Sequence, residues 1–333
     1  MRAIVWQGPE RMAVEERPDP ADPAPGEVIL RPGAVGICGS EVEGYLGRMG
    51  NRTPPLVMGH EFAGVVVAAG AGARELEGAR VAVNPLSGCG RCRLCRAGQG
   101  NLCADRKLIG VHSDGAFADL VRVPAASLRA LPDGVGARVG ALVEPLANGV
   151  HAVRLGLDGG PVERSVVLGA GTIGLVTLQA ALLSGIPHVA VVEPHDGRRE
   201  RATALGAHAA YPGGDPALAD VDLVLDAAGA QATRRLALEL LRPGGTVVCI
   251  GLAADETPLG FHGIVRSQHR IQGSYAYTMD DYEQALDWLV AGRASLGELP
   301  AVRPLEDGPE AFARLAAGPG DEVKVFLAGS GRE

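Results

Sequence analysis

Cys38, in Gly36-Ile37-Cys38-Gly39-Ser40-Glu41, and His60, in Gly59-His60-Glu61-Phe62-Ala63-Gly64, carry side chains that ligate transition metals. Singly, each is weak evidence. A lone Cys most often packs in a core and a lone His is most often satisfied there. Glu144 shifts the balance, because it stands in the apolar run Ala141-Leu142-Val143-Glu144-Pro145-Leu146-Ala147, where a buried carboxylate needs a cation. A second group, Cys89, Cys92, Cys95 and Cys103, has the form Cys-x2-Cys-x2-Cys-x7-Cys in a segment with too few apolar residues to pack by itself. Four thiolates suit a closed tetrahedral zinc site, which orders the lobe and leaves no open position for a substrate. An iron–sulfur cluster or a nucleic-acid-binding zinc ribbon could use the same donors. The acidic chain and the close spacing argue against both.

A nucleotide-binding turn is the third feature. The apolar strand Ser165–Leu168 runs into Gly169-Ala170-Gly171-Thr172-Ile173-Gly174 and then an apolar helix, Leu175–Ser184. Gly169 permits the tight turn, Gly171 lets a pyrophosphate approach the backbone at the helix N-terminus, and Gly174 lets helix and strand pack closely. Thr172 and Ile173 lie in the same turn. With 48 glycines in the chain, the strand before and the helix after carry the assignment. Glu193 ends the next strand, where a carboxylate accepts ribose hydroxyls and repels a 2′-phosphate, so NAD is favoured over NADP. Arg198 and Arg199 weaken that preference, since an arginine there can accommodate the extra phosphate; the alternative is a solvated helix face. Ile250, Leu252, Ser274 and Tyr275 are placed beside the cofactor by position alone, at the carboxyl ends of later strands.

These residues need two frameworks. At 333 residues the chain is long enough for about two domains. The first part reads as short strands broken by Gly and Pro: Met1–Val5, Glu27–Val35, Gly64–Ala69, Arg80–Val83 and Ala116–Val123. From about Ala137, helices alternate with short apolar strands, Ser165–Leu168, Val189–Glu193, Asp222–Asp226, Gly245–Ile250 and Ile271–Ser274, which implies a parallel sheet. Beyond Asp280 come two helical stretches and a last strand, Glu322–Leu327, short pieces that should fold back onto the first domain. The expected class is α/β, with a mostly-β catalytic domain over 1–145 completed by about 290–333, and a doubly wound dinucleotide domain over 146–289. Hydrophobic residues are 47% and charged residues 21%, within the globular range, and the net charge of −8 without a basic cluster excludes nucleic acid as a partner. No signal peptide or membrane span is read, so the expected location is cytoplasmic, with reduced cysteines.

Taken together, Gly36-Ile37-Cys38-Gly39-Ser40, Gly59-His60-Glu61-x-x-Gly64, the four-cysteine lobe, Val143-Glu144-Pro145-Leu146 and the glycine turn resemble the zinc-dependent medium-chain dehydrogenases over nearly the whole chain. Glu144, where alcohol-type members carry a second cysteine, is similar to the sorbitol and sugar-alcohol phosphate branch. The spacings look closest to those of galactitol-phosphate dehydrogenases. The resemblance implies a GroES-like catalytic domain and a Rossmann domain, two zinc ions per chain, and NAD. It implies a catalytic zinc on Cys38, His60 and Glu144, a structural zinc on the four cysteines, and a homodimer or homotetramer.

The implied reaction is hydride transfer between NAD(H) and a small polar secondary alcohol or ketone: a polyol, sugar alcohol or cyclitol. Zinc with an open position lowers the cost of removing the alcohol proton. Ser40 is placed to pass that proton outward, and Glu61 to orient the metal site or to ligate it transiently. Glu41 replaces the family's usual aspartate, and Glu43 stands where a relay histidine is common, which leaves the outer proton path open. Arg48 and Arg52, between two ligands, could bind a substrate phosphate or carboxylate. A solvated loop is the favoured alternative. Rival readings are an amino-alcohol dehydrogenase of the threonine type, a zinc-free quinone or enoyl reductase, and a non-enzymatic nucleotide binder. The last two should lack the metal ligands.

Overall fold

The computed structural model describes residues 1–318, 320 and 322–329. It divides into two compact units, Met1–Glu144 with Leu299–Glu333, and Pro145–Glu298.

In the first unit β1 (Arg2–Gly8), β2 (Arg11–Glu16) and β3 (Glu27–Gly36) lead to helix α1 (Gly39–Tyr45), then β4 (Leu56–Val57), β5 (Glu61–Ala69), β6 (Arg80–Val83) and β7 (Leu86–Ser87). The lobe contributes α2 (Arg93–Arg96) and β8 (Lys107–Leu108), followed by β9 (Val121–Pro124), β10 (Leu128–Ala130) and α3 (Ala137–Gly140). β2-β1-β4 make one antiparallel sheet, and β7 pairs with β8. Helix α4 (Val143–Leu157) carries the chain into the second unit.

There β11 (Arg164–Leu168), α5 (Thr172–Leu183), β12 (His188–Val192), α6 (Asp196–Ala204), β13 (Ala209–Tyr211), β14 (Val221–Asp226), α7 (Gln231–Leu240), β15 (Leu241–Cys249), α8 (Phe261–Ser267), β16 (Arg270–Gly273) and α9 (Met279–Val290) follow. The six strands are parallel in the order β13-β12-β11-β14-β15-β16, a doubly wound sheet whose order reverses beside β11. Its central strands are apolar and buried because helices cover both faces of such a sheet. The chain then returns to the first unit with β17 (Val302–Pro304), α10 (Gly308–Ala317) and β18 (Phe326–Ala328). A seven-stranded sheet runs β10-β6-β5-β3-β18-β17, with β9 also paired to β3.

Several expected elements differ. Of the two helical stretches after Asp280, α9 belongs to the second unit and α10 to the first. The final strand begins at Phe326 rather than Glu322, since Glu322 pairs with Arg303 and Arg314 and the Lys324 side chain turns to Glu61. Ala116–Val123 is not one strand. Ala116 and Phe117 donate to the Gly59 and Met58 carbonyls, so the segment joins the sheet only from Val121. The short strand β13 had no sequence signal, because three residues of middling burial carry little alternation.

Each unit has its own core. Phe62, Phe117, Phe312 and Ile4 are fully buried in the first, with Phe117 edge-on to Phe312 at 5.6 Å. Val166, Leu168, Val224 and Ala237 are buried in the second.

Candidate active site and metal centres

The end of β3 runs antiparallel to the start of β5, with Gly36 opposite Glu61. That register brings the residues just beyond each strand end, Cys38 and His60, to the same edge. Cys38 is the N-cap of α1, and its N–H donates to Glu41 Oε2 at 3.0 Å. Glu41 is fully buried, and its Oε1 also accepts the Gly59 N–H at 2.8 Å and faces His60 Nδ1 at 2.9 Å. A carboxylate on one imidazole nitrogen fixes the tautomer and leaves Nε2 for a metal. Burial opposes the imidazolium, but Glu41 and Cys38 outweigh it and raise the His60 pKa well above its ordinary value. Burial likewise pushes Glu41 up, and the His60 charge and hydrogen bonds bring it below the usual carboxylate range. Ser40 Oγ donates to Cys38 Sγ at 3.4 Å.

Ligand atoms of Cys38, His60 and Glu61 lie within 4.8 Å of one another. A thiol, an imidazole and a carboxylate form a donor set that suits zinc with an open position. Glu61 is 1% exposed and pairs with Lys324, which is 4% exposed and also donates to the Ile37 carbonyl at 3.2 Å. Burial disfavours the ammonium; Glu61, and more weakly Cys38 and Glu144, reverse this and raise the Lys324 pKa. Glu144 lies in the first turn of α4, 7% exposed, with its charge felt at Lys324, and it is outside the three-residue group that Glu61 completes. Sequence reasoning missed Glu41 as the partner of His60 and Lys324 altogether. The spacing Cys38-x-x-Glu41 at a helix start was the available signal for the first; nothing local marks the second.

Cys89, Cys92, Cys95 and Cys103 also gather within 4.8 Å, all as free thiols. Backbone N–H groups already point at the sulfurs: Cys89 N–H to Cys103 Sγ and Cys95 N–H to Cys92 Sγ, each 3.4 Å. The Arg91 N–H and neighbouring donors draw Cys89 down to about 6, while burial and the other thiols push Cys95 up to about 11. Four sulfurs this close cannot all ionise without a cation, and a zinc ion fits that requirement.

In the second unit the turn from β11 to α5 is formed by Gly169 at φ 93° and Gly171 at the N-cap. A Cβ on Gly174 would lie 1.9 Å from the Gly169 carbonyl oxygen, so only glycine lets α5 begin there. Thr172 and Ile173 open the helix. Glu193, 4% exposed, accepts the Ala170 N–H on Oε2 at 2.8 Å and the His195 N–H on Oε1 at 3.0 Å, and so braces the turn. Arg198 on α6 has Nη1 3.9 Å from where a Gly171 Cβ would stand, whereas Arg199 is tied to the Glu193 and Pro194 carbonyls and Asp196. Ile250 and Leu252 follow β15, and Ser274 and Tyr275 follow β16. Leu252 is 66% exposed, and the Ser274 N–H donates to the Cys249 carbonyl at 2.9 Å.

Comparison with known proteins agrees with this layout. Residues 24–133 match the family described as alcohol dehydrogenase GroES-like domain, and residues 172–291 match zinc-binding dehydrogenase. The 2-dehydro-3-deoxy-L-galactonate 5-dehydrogenase of Pseudoalteromonas atlantica is 33% identical over 89% of this chain and 90% of its own length. D-xylulose reductase A of Aspergillus oryzae is 31% identical over 98% and 96%. The crystal structure of galactitol-1-phosphate dehydrogenase from Escherichia coli superposes with a TM-score of 0.89 at 29% identity, covering 98% of this chain and all of the other. The chain therefore belongs to the zinc-binding medium-chain dehydrogenases and, within them, to the branch of the polyol dehydrogenases. It is an oxidoreductase of the alcohol-oxidising kind. No described helix is long and apolar enough to cross a membrane.

Proposed function

We propose that the protein oxidises a secondary alcohol of a polyol, sugar alcohol or related polar alcohol with NAD, or reduces the matching ketone. The observation that carries this reading is the group of thiol, imidazole and carboxylate formed by Cys38, His60 and Glu61 in a chain that also holds a four-thiol cluster and a nucleotide-binding glycine turn. The first unit is the catalytic zinc-binding domain and the second the dinucleotide domain. Cys38 and His60 would hold the catalytic zinc with Glu144 as third ligand, while Lys324 keeps Glu61 as a nearby reserve carboxylate. The four cysteines would hold a second, structural zinc.

When bound, zinc supplies a Lewis acid that makes an alcohol proton easier to remove. The chain's own residues do the rest. Glu41 orients His60, Ser40 accepts the substrate hydroxyl proton as it releases its own toward solvent, and the glycine turn seats the pyrophosphate at the start of α5. Loss of that proton and of a hydride from the carbinol carbon gives the ketone and NADH. Glu193 favours NAD by its charge, since a 2′-phosphate beside it would be repelled; Arg198, close to Gly171, is the residue that would instead accommodate such a phosphate. The reading includes a cytoplasmic location, where the cysteines stay reduced, and a homodimer or homotetramer.

Elemental analysis should find two zinc ions per chain, with one lost in Cys38→Ala. NAD and NADP reduction against polyols, sugar phosphates, amino alcohols and cyclitols then tests the activity. A single zinc that survives Cys38→Ala, or reduction of quinones without metal, would overturn the assignment.

A further inference from the structure

The loop between α1 and β4 carries two arginines with opposite fates. Arg48 has a side chain 63% exposed and pairs with Glu43 at 3.5 Å, as a solvated loop would. Arg52 is only 7% exposed. Its Nη1 donates to the neutral Asn51 Oδ1 at 3.2 Å, and its stem lies against α1: a Cβ on Gly44 would stand 2.9 Å from Arg52 Cδ. Its charge is felt at Glu41, the carboxylate that faces His60.

A second cationic segment approaches the same strand edge. The chain from β8 to Gly115 packs on the residue next to His60: a Cβ on Gly110 would lie 3.0 Å from the backbone N, C and O of Gly59. The Gly115 N–H donates to the Val57 carbonyl at 2.8 Å, and Asp114 accepts the Val57 N–H at 3.0 Å. Lys107 and His112 lie on this segment, and Arg106 directly precedes it. His112 is held below its ordinary pKa by burial and then by Lys107, Arg106 and Arg52, so these groups share one electrostatic neighbourhood. In a chain of net charge −8, the Arg52 charge reaches both Glu41, which faces His60, and His112 on this segment.

We propose that Arg52, with Lys107 and His112, binds an anionic substituent of the substrate, so that the enzyme acts on polyols bearing a carboxylate or a phosphate away from the reacting carbinol. The proposal rests on the dehydrogenase reading above and names its substrate class. A guanidinium fork suits either oxyanion, because both offer paired acceptor oxygens. An anion held there fixes one end of a flexible chain and so selects which hydroxyl reaches the metal.

The test uses the zinc-loaded enzyme with matched hexitols, hexitol phosphates and hexonates, comparing wild type with Arg52→Gln and the exposed-site variant Lys107→Gln. The preferred anionic class should exceed the neutral hexitols in kcat/KM by about tenfold or more, and which class it is distinguishes carboxylate from phosphate. Arg52→Gln should reduce that activity about 10- to 100-fold, mainly through KM, as expected for loss of a charge-assisted hydrogen bond. Activity on neutral hexitols should fall far less than activity on the anionic class, with zinc retained, and Lys107→Gln should show a smaller loss in the same direction. Equal losses for neutral and anionic substrates, or loss of zinc, would show that Arg52 only supports Glu41 and would overturn the proposal. Calorimetric titration of inorganic phosphate and gluconate into the same proteins gives a readout without turnover. Anion binding that needs Arg52, with no alcohol oxidised, would sink the dehydrogenase reading and leave the anion site standing; oxidation of hexitols with no anion binding would do the reverse.

Discussion

His60 Nδ1 and Glu41 Oε1 face each other at 2.9 Å, with both side chains sealed from solvent. Glu41 also accepts the N–H groups of Cys38 and Gly59, so one carboxylate holds the backbone beside both candidate ligands. Glu41→Gln keeps the shape but replaces an acceptor-only group. Zinc affinity should fall about 10- to 100-fold, measured by competition with a chromogenic chelator. Unchanged affinity would mean that Glu41 serves α1 and not the metal.

Lys324 and Glu61 form a buried ion pair, and removing one partner strands the other charge. Lys324→Met should cost about 3–5 kcal/mol of stability, read from urea midpoints, and adding Glu61→Gln should restore part of that loss. Two additive losses would show that the pair does not couple.

The four-cysteine lobe makes a prediction about reactivity. In zinc-stripped protein at neutral pH, Cys89, with a pKa drawn down to about 6, should alkylate first, and Cys95, pushed up to about 11, among the last. Peptide mapping after brief iodoacetamide treatment gives the order. Loading with zinc should protect all four together, and protection of only two would argue against a shared ion.

Asp281 organises the start of α9 in the second unit. Its carboxylate meets His151 Nδ1 at 2.8 Å, Arg154 Nε at 2.8 Å and Thr278 Oγ1 at 2.7 Å. Burial alone would raise its pKa; the hydrogen bonds to His151, Arg154 and Thr278 win and hold it far below the usual carboxylate range. Because the folded value lies below the unfolded one, this stabilisation is complete above about pH 4 and is lost as pH falls toward the folded value. Asp281→Asn should therefore cost about 1–3 kcal/mol near pH 7 and flatten the loss of stability below pH 4, measured by urea unfolding across pH. A variant with the wild-type acid limb would exclude Asp281 as its source.

The features legible in the sequence are those in which neighbours along the chain are also neighbours in space. The glycine turn at 169–174 and the lobe cysteines are of this kind, because each is built within one turn or loop. Cys38 and His60 were legible as types, though only the β3–β5 register explains why they meet. Glu61 was legible as a carboxylate beside His60, but its pairing with Lys324 was not, since the lysine stands just before β18, after the whole second unit. Arg52 read as a solvated loop residue because burial in a loop follows from what packs over it, here α1, and leaves no periodicity. Glu193 was read as the last residue of its strand and lies one residue beyond β12, and its hold on the Ala170 N–H depends on β12 lying next to β11, which the sequence does not state.

The first unit is assembled from two stretches of chain with the second unit between them, and this orders events during synthesis. Cys38, His60, Glu61 and the lobe cysteines all leave the ribosome before the second unit, but Lys324 and β18 come after it. Until then the Val35–Gly36 end of β3 lacks its β18 partner, and Glu61 lacks the ammonium it pairs with. The carboxylate beside His60 therefore gains its cationic partner only after the residues of both units have been made.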